Sequence, residues 1–115
     1  MKIVVYSQLV KRKLLTLKTE LVEEYGNQKA VEILTAMADR IDMLGQYENS
    51  GVRISSMYDI NTDYWYLFTN HNYFIYRIEA KKIIIVQMFN EREDFMMKLF
   101  GMSGRTQESI DYWGE

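Results

Sequence analysis

The chain has no cysteine and no proline, a single histidine, and six glycines that never fall side by side in 115 residues. Without cysteine there is no disulfide, no thiolate metal site and no cysteine nucleophile, and one histidine cannot build a multi-histidine metal centre. With no Pro-rich or Gly/Ser-rich stretch there is no linker at which to divide the chain, and its length suits one compact domain. No apolar run approaches the roughly 18 residues that a membrane helix needs. Met1-Lys2-Ile3 opens at once into a strand-like stretch rather than a signal peptide, so a soluble cytoplasmic protein is expected, with no membrane partner. A basic excess is also missing. Fourteen Lys and Arg stand against sixteen Asp and Glu, which removes the overall positive charge that usually announces a nucleic-acid binder. Split after Gly45, the first part carries seven basic residues against six acidic and the rest seven against ten, so charge alone identifies no partner.

What the chain does have is apolar and aromatic material, 48% and 14% of its residues, enough for a packed core. Lys2 to Tyr6 is β-branched and aromatic and reads as a strand stopped by Ser7, a good helix N-cap. Val10, Leu14, Leu17 and Leu21 then recur at helical spacing, and Gly26 supplies a stop. Asn27 is expected to cap a second helix whose stripe is Ala30, Leu34, Met37, Ile41 and Leu44, ending at Gly45. The joint at Gly26-Asn27 is short enough to force a helical hairpin. A polar, turn-rich stretch follows, with Val52 to Ile54 and Met57-Tyr58 as short strand pieces. Three β-rich runs come next, Tyr64 to Thr69, Tyr73 to Glu79 and Lys82 to Phe89, and form an antiparallel meander. Ile83 to Val86 reads as a central strand that the two helices cover. Asn90 to Phe100 reads as a short helix, acidic at its start and closed by Gly101. The expected fold class is α+β: an N-terminal strand, an antiparallel helical hairpin, an antiparallel β-meander and a short C-terminal helix. Residues 1–101 form the domain, and residues 102–115 form a tail with a plausible helical turn.

Four blocks carry a more specific signal: Ile3 to Ser7; Leu21 to Asn27; Tyr73 to Glu79 with Lys82 to Val86; and Phe89 to Met96 with Leu99-Phe100. Together they resemble the RelE/ParE toxin superfamily of type II toxin–antitoxin modules, over residues 1 to about 101. The resemblance implies a plasmid-stabilisation type toxin that a cognate antitoxin protein holds inactive and that arrests growth when free. Two mechanisms share the fold. RelE-like members cleave mRNA on the ribosome and ParE-like members inhibit DNA gyrase, so the fold alone does not choose between an enzyme and a binder. A non-toxic binding domain of the same fold is a third alternative. No cofactor and no metal are implied.

Metal-free RNA cleavage needs a proton acceptor for the 2′-hydroxyl, a donor for the leaving oxygen and cations for the phosphorane. RelE-like ribonucleases place an Arg where this chain has Tyr73, a His where it has Asn90 and a Tyr where it has Phe95. The remaining candidates are Arg92, Arg77 and Tyr73 as catalytic residues, with Arg53 and Lys98 binding nucleic acid or another target. Strand alternation puts Tyr73 and Arg77 on one face. The plainer alternatives are an Arg77 paired with Glu79 and an Arg92 solvated between Glu91 and Glu93. His71, between Asn70 and Asn72, can move protons if a substrate comes close, but reads first as a turn residue. Glu91, Glu93 and Asp94 suit a helix start and make no metal site by themselves.

Overall fold

The computed structural model describes residues 1–57 and 59–101. The expectations for Tyr58 and for the tail at 102–115 lie outside the described residues. Strand β1 spans Ile3–Tyr6 and helix α1 spans Gln8–Tyr25. Between them Ser7 caps α1: its hydroxyl oxygen accepts from the Val10 N–H at 3.2 Å. The same hydroxyl donates to the Val86 carbonyl at 3.1 Å, which ties the helix start to the sheet. Helix α2, Asn27–Asp42, follows directly. The joint is Gly26, whose φ of 87° lies in the region that side chains disfavour. Gly26 itself occupies the N-cap of α2 without a side-chain bond, and Asn27 is already helical. The cap expected of Asn27 is therefore corrected. The hairpin's second arm tightens after Asp42 into a 3-10 turn, Met43–Gly45.

The sheet has five strands in the order β1-β5-β4-β3-β2. Strand β2 is only Val52–Arg53, and Ile54 opens a helical turn, α3 (Ile54–Met57), in place of the further strand pieces expected there. Strands β3 (Trp65–Thr69), β4 (Asn72–Ile78) and β5 (Lys82–Asn90) form the antiparallel meander. The N-terminal strand joins its far side, β1 running parallel to β5 with Val4 opposite Ile83 and Tyr6 opposite Ile85. Strand β5 is thus paired on both sides. Its extra residue, Val86, falls where the register against β4 shifts between Ile75 and Tyr76, as in a β-bulge.

The two faces of the sheet carry separate cores. Phe74, Tyr76, Ile83, Ile85 and Met88 pack with Val10, Met37, Ile41 and Leu44 under the hairpin. Ile75 and Phe89 pack with Ile54, Phe95 and Met96 on the other face, with Tyr66, Tyr73 and Val86 at the margin. The Ile-Ile-Ile-Val run is shared between the faces rather than given to the hairpin alone, because strand alternation sends Ile83 and Ile85 one way and Val86 the other. Helix α4, Phe95–Phe100, makes the second cover. It starts later than the sequence suggests: Asn90 still belongs to β5, and Asp94 caps the helix by accepting from the Met97 N–H at 3.2 Å. Gly101, at φ 70°, ends it.

Candidate functional site

Two concave regions flank helix α1. The first is an open groove of about 460 Å³ between α1 and α2, floored by Leu14, Met37 and Ile41 and closed at one end by Tyr6. Its lining is almost wholly apolar, and the charged residues on it, Lys11 and Lys18, are both basic. Leu15 stands on its rim with 67% of its surface exposed. The Tyr6 hydroxyl lies 3.4 Å from Asp42; burial, and then the Asp42 charge and hydrogen bond, push its pKa up to about 12.

The second region is a polar cleft where the later turns of α1 face the β3–β4 turn and the end of β5. It has a volume of about 360 Å³, with Glu20, Glu24 and Tyr25 from α1, Asn70 and His71 from the turn, and Asn90, Glu91 and Arg92 beyond β5. A smaller space of about 210 Å³ adjoins it through Asn72 and Asn90 and reaches Lys13 and Glu93. Asn70 and His71 form a two-residue hairpin loop with φ of 50° and 65°. Positive φ at both positions is the signature of a type I′ turn, whose favoured sequence is Asn-Gly. Buried Asn72 supports the turn by donating its side-chain N–H to the Asn70 carbonyl at 2.8 Å.

The end of β5 is knotted to this turn. The Glu91 N–H donates to the His71 carbonyl at 2.8 Å, and the Glu91 carboxylate lies 3.1 Å from His71 Nδ1. Asn90 accepts from the Arg92 N–H through its side chain at 3.0 Å, while its own N–H donates to Glu93 at 2.7 Å. These bonds hold residues 90–93 in a tight turn with Arg92 facing the cleft. Burial alone would raise the Glu93 carboxyl, but the Lys98 hydrogen bond, the Asn90 N–H and the charges of Lys98 and Lys13 together hold it below the usual carboxylate range. Lys13 bridges α1 to β5, donating to Gln87 at 2.6 Å and to the Met88 carbonyl at 2.8 Å. Burial lowers its pKa, against the opposing pull of Glu93.

The structure does not gather the expected site residues into one constellation. Arg92 lies in the cleft and, among the described residues, enters no ion pair. Tyr73 instead packs its ring against Phe68, Phe95 and Tyr66, with centroids 4.8, 4.9 and 5.4 Å away. Arg77, four residues further along β4, holds Glu79 at 2.7 Å, and that hydrogen bond raises its pKa. Lys98 is engaged by Glu93 at 2.5 Å. Arg53 lies on edge strand β2 with its guanidinium 5.2 Å from the Trp65 ring centre. The residue that sequence reasoning set aside is His71, which shares the cleft with Arg92 through the pairing of Asn72 with Asn90. The only signal for it in the sequence was a histidine where a two-residue hairpin favours glycine. Among the described residues, no group of three or more His, Asp or Glu can hold a metal ion, and no helix is long and apolar enough to cross a membrane.

No protein-family model matches the chain, and no curated protein matches it. Among solved structures it is similar to a chain of the chromosomal ParDE TA system from P. aeruginosa, at 17% sequence identity and a TM-score of 0.65. The likeness covers 78% of this chain and 96% of that one. At that identity the likeness is one of architecture: strand, helical hairpin, antiparallel strands and short C-terminal helix together make a ParE-like α+β fold.

Proposed function

We propose that the chain is the toxin of a type II toxin–antitoxin module, acts in the cytoplasm and arrests growth when free of its antitoxin. The ParE-like fold carries the reading. The groove on the hairpin supplies the antitoxin's place: an amphipathic segment lays its apolar side over Leu14, Met37 and Ile41, with acidic residues beside Lys11 and Lys18. Expression alone and together with the neighbouring open reading frame tests this. Growth arrest by the chain alone and relief by the neighbour support it; equal growth in both refutes it.

For the mechanism we favour cleavage of mRNA on the ribosome, with Arg92 meeting the scissile phosphate. The supporting observation is that Arg92, which enters no ion pair among the described residues, lines a cleft that also holds an imidazole–carboxylate pair. Arg77 and Tyr73 have no part at that cleft. A second reading is ParE-like inhibition of DNA gyrase without catalysis. It is favoured by the ion pairing of Arg77 and Lys98, which takes two of the expected cations away from RNA phosphates, and by the excess of acidic over basic residues. Primer extension on mRNA from expressing cells separates the two: codon-phased cuts support cleavage, and intact mRNA with blocked supercoiling supports gyrase.

A further inference from the structure

We propose that His71 is the proton-transfer residue of the Arg92 cleft, an inference that rests on the mRNA-cleavage reading above. Three observations converge on it. His71 sits at φ 65° in a position where glycine is the least strained choice, and strain retained against an easy alternative points to a task for the side chain. Its ring is oriented by the Glu91 carboxylate, 3.1 Å from Nδ1; in the tautomer that donates from Nδ1 to Glu91, Nε2 is the acceptor. The His71 side chain is 78% exposed and His71 lines the same cleft as Arg92 and Asn90, so one cleft offers a phosphodiester both a guanidinium and an imidazole.

The step this arrangement serves is transesterification of RNA. Nε2 takes the proton of the ribose 2′-hydroxyl, O2′ bonds to phosphorus, and the bond from phosphorus to O5′ breaks with its electron pair passing to O5′. The imidazolium returns the proton to O5′. The products are a 2′,3′-cyclic phosphate and a 5′-hydroxyl, with no oxidant, metal or co-reactant consumed. Arg92 faces the phosphorane's added charge, and Glu91 steadies the imidazolium. Three carboxylates, Glu20, Glu24 and Glu91, line the same cleft beside Tyr25 and repel a phosphate, so Arg92 is the lining residue left to hold it.

The decisive comparison is the wild-type chain with His71→Gly and His71→Asn, both of which tolerate the left-handed backbone. Cleavage is read by primer extension on ribosome-bound mRNA, and folding by thermal unfolding. Loss of a general base predicts a fall in cleavage of about 100-fold or more in both variants. His71→Gly should unfold at a higher temperature than wild type, and added imidazole should restore part of its cleavage. Cuts should end in a cyclic phosphate. If wild type cuts mRNA and His71→Gly cuts it equally well, His71 is a turn residue and the inference falls alone; if wild type makes no cuts, the cleavage reading falls and takes the inference with it.

Discussion

Replacing Tyr76 with Phe isolates one buried hydroxyl that fastens a whole loop. The ring lies fully inside the hairpin core, stacked 6.1 Å from Trp65, and Phe keeps that packing. The hydroxyl donates to the Glu48 carbonyl at 2.9 Å and accepts from the Gly51 N–H at 3.2 Å, so its loss orphans two backbone groups at once. A typical hydrogen bond contributes about 1 kcal/mol net, and an unsatisfied buried group costs about 1–3 kcal/mol. The expected loss is therefore about 2–3 kcal/mol, or roughly 10 °C or more in the unfolding midpoint at about 4–8 °C per kcal/mol. Urea unfolding followed by far-UV circular dichroism measures it, with an unchanged m-value showing that only stability moved. A side chain at Gly51 should not substitute for the bond: an added Cβ would lie 2.4 Å from the Tyr76 hydroxyl and 2.5 Å from the Tyr66 carbonyl. With Tyr76→Phe already in place the clash with the Tyr66 carbonyl persists, so Gly51→Ala destabilises both the wild type and that variant. A loss under about 0.5 kcal/mol for Tyr76→Phe would mean that water satisfies the loop and would refute the reasoning.

Phe95→Ala should cost about 3–5 kcal/mol and loosen α4 from the sheet, since the ring is buried among Tyr73, Tyr66 and Phe89; limited proteolysis near Phe100 checks the detachment. Leu15→Glu, on the exposed groove rim, should change stability by less than about 0.5 kcal/mol while weakening co-purification with the product of the neighbouring open reading frame, the proposed antitoxin; undiminished co-purification counts against the groove. Burial pushes both Tyr6 and Tyr76 up to about 12. Their folded pKa exceeds the unfolded value of about 10, so they contribute stability that is fully present below about pH 10 and is lost as pH rises through about 12; tyrosinate absorbance should show these hydroxyls ionising last, together with unfolding.

Legibility followed the range of the interactions involved. The hairpin was readable because its evidence is local: a capping Ser7, stripes at three and four residues, and a glycine at the joint. The order of β3, β4 and β5 was readable for the same reason, their turns being two to three residues long. The misread boundaries are places where tertiary pairing overrode propensity. Asn90 to Glu93 carries helix-start chemistry, yet β5 extends through Asn90 because Asn72 and the His71 carbonyl offer partners across the turn. Asn27 has the chemistry of a cap, but Gly26 had already turned the chain, leaving Asn27 inside the first turn of α2.

The candidate site was less legible because its members meet only through register. Arg92 and His71 are 21 positions apart, and nothing in either neighbourhood announces the other. Their place in one cleft depends on Asn72 pairing with Asn90, and that pairing is set by the strands on both sides of a bulge. Tyr73 and Arg77, by contrast, share a face in the sequence pattern, but that pattern says nothing of what each touches: Phe95 packs on the Tyr73 ring and Glu79 pairs with Arg77. A two-residue period assigns faces and leaves partners open. The weight that the proposal puts on His71 therefore rests on its left-handed backbone, where glycine is the least strained choice, and on its place beside Arg92 in one cleft, neither of which the two-residue period of a strand can show.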